Sequence, residues 1–285
     1  MPSIADLAMN REIVASIVTA TSLAVACAVL SVFVVWRRWA FIGEGISHSG
    51  FGGAGTVWLL MAFFPSLERM PWTAYLGVVA FCLCTAIAIG YFTRAGRINS
   101  DAAIGIFLVA SLAWGILAQQ IFHRVRGHDP VGWDTYLFGQ MNVTLQFAII
   151  AAAMCAAIVA AVGFLGKEIV AYSFDPVAAE AAGVRVAFVH YLLMILVAIA
   201  IVIAARIAGT VMATALLVLP GAAALLLCQK LAATLAFSLV LALLGTVGGL
   251  FVHFGWHFVP TGPAIVLLLF VEFLLAYGWE RVARE

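Results

Sequence analysis

The placement of charge constrains this chain most. Marking every Asp, Glu, Lys and Arg leaves long charge-free runs at Ile13–Trp36, Gly45–Leu67, Met70–Thr93, Ala102–His123, Thr135–Gly166, Val186–Ala205, Ile207–Gln229 and Leu231–Val271. A bilayer core about 30 Å thick is crossed by about 20 helical residues, so every run can span it. The fifth run exceeds one span and reads as a helix over Val143–Gly166, preceded by a short or re-entrant approach at Thr135–Asn142. The eighth holds two spans broken at Val252–Val259. The expected fold is all-α: a polytopic membrane protein with about 8–9 transmembrane helices. Barrel strands would instead alternate in segments of about ten residues.

Composition excludes the soluble alternatives. The 285 residues are 66% hydrophobic and 9% charged, with a mean hydropathy of +1.16. Soluble domains carry roughly a quarter charged residues, because a folded chain needs a wet exterior. The formal net charge of +1 gives no footing for nucleic acid. Cys27, Cys82, Cys84, Cys155 and Cys228 all lie in apolar runs. Cys82 and Cys84 would point about 200° apart on a helix, so all five read as small buried hydrophobes. The first run is longer than a signal-peptide core and is followed, not preceded, by Arg37-Arg38, so no cleavable signal is expected. With no linker or repeat, residues 1–285 read as a single transmembrane domain.

Lys and Arg set the orientation. With the N-terminus outside and nine crossings, Arg37, Arg38, Arg94, Arg97, Lys167, Arg185, Lys230, Arg281 and Arg284 face the cytoplasm. Arg11, Arg69, Arg124, Arg126 and Arg206 remain outside. The weak point is Ile207–Gln229, whose Gly209, Pro220 and Gly221 would suit a broken or re-entrant helix.

Three motifs can carry chemistry. In Gly43-Glu44-Gly45-Ile46-Ser47-His48-Ser49-Gly50, Glu44 and His48 share one helix face. Counted from Arg38 they lie about 9 and 15 Å into a helix, the second near mid-bilayer. Such groups are expensive there unless they face a cavity or a cation. Both are ligands for a borderline divalent metal, whose affinity would fall as His48 takes up a proton. The alternative is a hydrogen-bond cluster tying helices together. In Phe174-Asp175-Pro176-Val177-Ala178-Ala179-Glu180-Ala181-Ala182-Gly183, Asp175 is a good N-cap, Pro176 suits the first helical position and Gly183 is a natural stop. The result is a short helix in a cytoplasmic segment over about residues 167–186 that either covers a loop or docks into a partner's groove. His253 and His257 are again four apart, at the outer surface beside Trp256. They either meet an incoming metal or sit in the interfacial aromatic belt. His190 reads as a hydrogen-bonded residue rather than a ligand. No Gly-rich loop precedes a Lys-Ser/Thr pair, so ATP chemistry would need another chain.

Taken together and in order, these residues resemble the permease subunits of bacterial zinc, manganese and iron ABC transporters. The likeness is carried by Gly43–His48, Ser100-Asp101-Ala102-Ala103-Ile104-Gly105-Ile106, Tyr136-Leu137-Phe138-Gly139 and Ser173-Phe174-Asp175-Pro176. It continues through Ala182-Gly183-Val184, His190-Tyr191-Leu192-Leu193, Leu217–Ala224 and Pro260–Ala264. Glu44 stands where the family usually has Asp, and Ser49–Gly53 lacks the family's usual proline. The resemblance implies a dimer of permease chains, identical or not, in the inner membrane. It also implies a cytoplasmic ATPase subunit and an extracytoplasmic metal-binding protein. Phe174, Asp175, Pro176, Ala179, Glu180 and Gly183 would belong to the helix that couples to the ATPase. Glu44 and His48 would lie on the path of the transported zinc, manganese or iron ion, with no covalently bound cofactor. A permease for a metal chelate is the alternative. An intramembrane metalloprotease is disfavoured because neither pair has the third ligand and general base that a His-Glu-x-x-His site supplies.

Overall fold

The computed structural model describes residues 11–64, 66–67, 72–94, 98–128, 144–256 and 258–284, with backbone alone at 11–13, 206–210 and 284. Its helices are α1 (Arg11–Trp36), α2 (Ile42–Phe63), α3 (Thr73–Arg94), α4 (Ser100–Arg126), α5 (Leu145–Phe164), α6 (Gly166–Phe174), α7 (Pro176–Ala181), α8 (Val186–Leu227), α9 (Leu231–Gly255) and α10 (Thr261–Arg284). Among the described residues there is no strand. The expected approach at 135–142, and with it the Tyr136–Gly139 motif, lies outside the described residues, as does His257.

Seven segments are long and apolar enough to cross a membrane, and Val211–Leu227 is a shorter apolar helix. The helix α2 is not among those seven despite its 22 residues. Its glycines, serines, Glu44 and His48 lower its hydropathy, and its cover is protein rather than lipid. Ile42, Ile46, Phe51, Ala54, Val57 and Trp58 are all buried against α3, α4 and α8. The helices α2 and α4 run parallel, with Gly45 against Ile104, Gly52 against Ser111 and Gly55 against Gly115. A Cβ on Gly55 would lie 2.9 Å from the Gly115 Cα, so only small residues allow this approach. Trp114 Nε1 donates to Thr56 Oγ1 at 2.8 Å across the same seam, and Arg126 donates to the Met61 carbonyl at 2.8 Å. The helix α3 returns antiparallel, with Cys82 Sγ at the Ile46 carbonyl and Gly53 against Val78.

The 42 residues of α8 would measure about 63 Å if straight. They are not straight, because both ends pack near the same end of α1. Gly221 lies against the Ser31 backbone, while the rings of His190 and Trp39 are 5.5 Å apart. The run therefore doubles back between an ascending arm, Val186–Ala205, and a returning arm, Val211–Leu227. The returning arm is the shorter apolar helix that adds to the seven candidate spans, and it comes back to the side on which α6 and α7 lie. The ascending arm and α1 form the centre: 61% and 67% of their most apolar windows are buried, against 28–33% for the other five spans. The outer helices present Leu76, Val109, Ile149, Leu244 and Leu275 outward, where lipid covers them.

Two boundaries differ from expectation. The chain turns at 37–41 before α2 begins. Trp39 N–H donates to the Val34 carbonyl at 2.9 Å, and Arg38 has φ of 56°, the left-handed stop usually given to glycine. The last break falls at 256–260, after α9 ends at Gly255, rather than at Val252–Val259.

Candidate metal site and coupling segment

Because α2 starts at Ile42 rather than at Arg38, Glu44 and His48 lie about 3 and 9 Å along it, and Ile46 between them meets Cys82, about midway along α3. The pair sits in the first two turns of α2. The entry to α2 is itself inside the protein, since Trp39 is 1% exposed. The sequence reading that the two share a face holds: His48 Nδ1 lies 3.3 Å from Glu44 Oε1 and 3.0 Å from the Glu44 carbonyl. Thr214, on the returning arm of α8, donates to Glu44 Oε2 at 3.1 Å. The side chains of His48 and Glu44 are 20% and 36% exposed. Thr214 was not foreseen; it stands 170 positions from Glu44, and only the fold brings it there.

This arrangement has a definite polarity. A ring whose Nδ1–H donates toward oxygen holds a lone pair on Nε2, the atom that then faces a cation. A carboxylate on the far nitrogen of a ligating imidazole fixes the ring and raises its basicity. Glu44 thus orients His48 while keeping lone pairs of its own. Among the described residues no group of three or more His, Cys, Asp or Glu comes together.

His253 is used differently. Its Nδ1 donates to the Val259 carbonyl at 2.7 Å, closing the turn between α9 and α10 at the end remote from α6 and α7. His253 thus has a structural partner there, and His257 lies outside the described residues.

The second motif folds as its capping chemistry dictates. Asp175 Oδ1 accepts from the N–H groups of Val177 and Ala178 at 2.9 and 3.1 Å, and Pro176 opens the helix. Val184 N–H donates to the Ala179 carbonyl and Gly183 N–H to the Glu180 carbonyl, both at 3.0 Å. Gly183 has φ of +88°, so the helix ends in a Schellman closure that glycine alone enters without strain. Ala179 is buried and anchors α7 on α6 and α8, so it does not itself offer a contact surface. Phe174 and Val177 are 70% and 78% exposed, and Ala178, Glu180, Ala181 and Ala182 are exposed beside them. Two apolar side chains held outward, Phe174 at the end of α6 and Val177 on the capped α7, suit insertion into a groove.

The sequence reading placed one short helix in the cytoplasmic segment over about residues 167–186 and missed α6. Its signal was there, since Ile169, Tyr172 and Ser173 fall on one helical face and are its buried residues. Tyr172 OH lies 2.6 Å from His190 Nδ1, and His190 Nε2 lies 2.9 Å from the Gly90 carbonyl. His190 is therefore hydrogen-bonded at both nitrogens, as expected of a residue that is not a ligand.

The described helices thus form a membrane-crossing bundle with a short capped helix on one face and an acid–imidazole pair inside. The model of the ABC 3 transport family matches residues 9–279, and the chain belongs to that family. It is a multi-pass protein of the bacterial plasma membrane. It is 28% identical over 251 residues to the manganese transport system membrane protein MntC of Halalkalibacterium halodurans, covering 88% of this chain and 81% of that protein. It is 29% identical over 275 residues to the chelated iron transport system membrane protein YfeD of Yersinia pestis, covering 96% and 86%. Among solved structures it resembles PsaBC from Streptococcus pneumoniae in complex with Fab, with a TM-score of 0.78, 28% identity and coverage of 96% and 94%.

Proposed function

We propose that this chain is the membrane subunit of an ATP-driven importer of a divalent metal ion, manganese or iron by its relatives' names and zinc by ligand chemistry. The observation that carries this is the Glu44–His48–Thr214 constellation between α2 and the returning arm of α8. His48 Nε2 and Glu44 hold the ion, with water completing its shell. Two protein ligands bind weakly enough for release. A separate ATPase docks on Phe174, Val177 and Glu180 of α6 and α7, so this side is cytoplasmic. An extracytoplasmic binding protein delivers the ion to the opposite face, and a second permease chain completes the pathway.

Uptake of radioactive zinc, manganese and iron into vesicles holding this chain, its ATPase and its binding protein tests the proposal. His48→Ala and Glu44→Ala each abolish ATP-dependent uptake of one bare ion while ATPase docking persists. Full uptake in both variants would move the site elsewhere. Uptake only of a chelated metal by the native complex would replace the bare ion with a chelate as cargo.

A further inference from the structure

One buried cluster lies outside the metal pair and joins four elements. Tyr172 of α6, His190 of α8 and Trp39 of the α1–α2 turn are 2%, 4% and 1% exposed. Burial pushes the Tyr172 phenol above its ordinary pKa, partly offset by the nearby Arg37 charge, so its hydroxyl is a donor at neutral pH. It donates to His190 Nδ1, and His190 Nε2–H then donates to the Gly90 carbonyl at the end of α3. Both ring nitrogens are committed, so the imidazole cannot rotate without losing two hydrogen bonds. The Arg37 guanidinium lies 4.3 Å from the Tyr172 ring centroid and 5.6 Å from that of Trp39. Trp39 packs edge-on against His190. Beside the cluster, Trp36 meets Phe174 at 4.7 Å. Gly90 permits the approach, since a Cβ there would lie 3.3 Å from His190 Nε2.

The cluster connects in sequence and in space to both functional parts. Tyr172 precedes the exposed Phe174 by two residues. On the other side, the Ile42 N–H donates to the Trp39 carbonyl at 2.9 Å, and Glu44 follows in the first turn of α2. The links between the docking face and the metal pair are short stretches of helix backbone, the Tyr172–His190 hydrogen bond, the Trp39–His190 ring contact and the Ile42–Trp39 hydrogen bond.

We propose that the Tyr172–His190–Gly90 relay, clamped by Arg37 and Trp39, locks α6 and α7 to the α1–α2 turn so that they move as one block. His190 is then the positioning residue that carries a displacement of the docking face to Glu44 and His48. This rests on the transport reading above. Such coupling needs an element that both sites bias, and here that element is the block itself.

The test uses the complete complex in vesicles, with ATP hydrolysis and manganese(II) uptake read from the same preparation. Tyr172→Phe removes one hydroxyl, and His190→Phe keeps a ring while removing both nitrogens. The expected result is a fall of about tenfold in metal moved per ATP while hydrolysis stays within about twofold of native. An unchanged ratio, or hydrolysis and uptake falling together, would overturn the proposal. A second readout needs no transport. Nitroxide labels are placed at Phe41→Cys and at Lys167→Cys, an exposed α6 position outside the docking residues, with the exposed Cys84 and half-buried Cys228 replaced by Ala, and labelled chain is diluted into unlabelled chain. The native pair gives one narrow distance that is the same nucleotide-free and vanadate-trapped, and Tyr172→Phe broadens or shifts it on trapping. A native distance that changes on trapping, or a Tyr172→Phe pair as rigid as native, sinks the block. A native complex that moves no bare ion sinks the bare-ion reading, while the label distances still decide the block.

Discussion

Replacing Gly221 by Ala tests a close contact between α1 and the returning arm of α8. A Cβ there would lie 2.6 Å from the Ser31 carbonyl carbon and 2.7 Å from both the Ser31 carbonyl oxygen and Oγ. Carbon atoms rest at about 3.5–4.0 Å, so the helices must part by about 1 Å. The atoms in the way are largely backbone, which no rotamer change removes. Overpacking of this kind costs about 1–3 kcal/mol. Ser31 Oγ also meets Ser238 Oγ at 3.0 Å, and disturbing a hydrogen bond between membrane helices costs about 0.6 kcal/mol. Against this, Ala is favoured over Gly in a helix by about 1 kcal/mol. The balance is a net loss of about 0.6–2.6 kcal/mol. Gly105 is the control, because a Cβ there meets nothing within 4 Å, and Gly105→Ala gains up to about 1 kcal/mol. Reversible unfolding in mixed micelles, followed by tryptophan fluorescence, reads both. A Gly221→Ala protein as stable as native would refute the close approach of the two helices, and the same sign at both sites would refute the reasoning from local space.

Asp175→Ala removes the cap of α7, costs that helix about 1 kcal/mol, and weakens ATPase binding severalfold in a pull-down titration while manganese(II) binding is unchanged. Gly183→Ala forces a side chain into left-handed backbone at a cost of about 1–2 kcal/mol and lowers the same docking affinity. Val177→Glu places a charge on the docking face and abolishes ATPase co-purification, leaving the thermal unfolding of the chain within about 0.5 kcal/mol of native. Thr214→Val takes the donor from Glu44 Oε2 and weakens manganese(II) binding by equilibrium dialysis about three- to tenfold, the equivalent of one ordinary hydrogen bond.

The spans were legible because charge is expelled from lipid, a rule that acts residue by residue. The cap at Asp175 and the stop at Gly183 were legible because capping is local chemistry. So was the shared face of Glu44 and His48, since four positions make one helical turn. The helix start at Ile42 was not legible, because the left-handed turn at Arg38 takes up residues that a continuous helix would have spent on rise. Thr214, and the contacts of Tyr172 with Arg37 and His190, were out of reach of spacing arguments. Those partners come from elements far apart in the chain, and only packing chooses them. The protein cover of α2 was hidden for the same reason, as hydropathy measures what a helix would prefer around it and not what its neighbours supply.

The doubled-back α8 also bears on which way the end of the chain faces. Residues 206–210 between its arms are helical in backbone, and the returning arm, about 26 Å long, is short for a span of its own. Its place in the bilayer therefore rests on packing against its neighbours. Because each crossing reverses the side on which the next helix begins, the sidedness of α9 and α10 hangs on this one short arm.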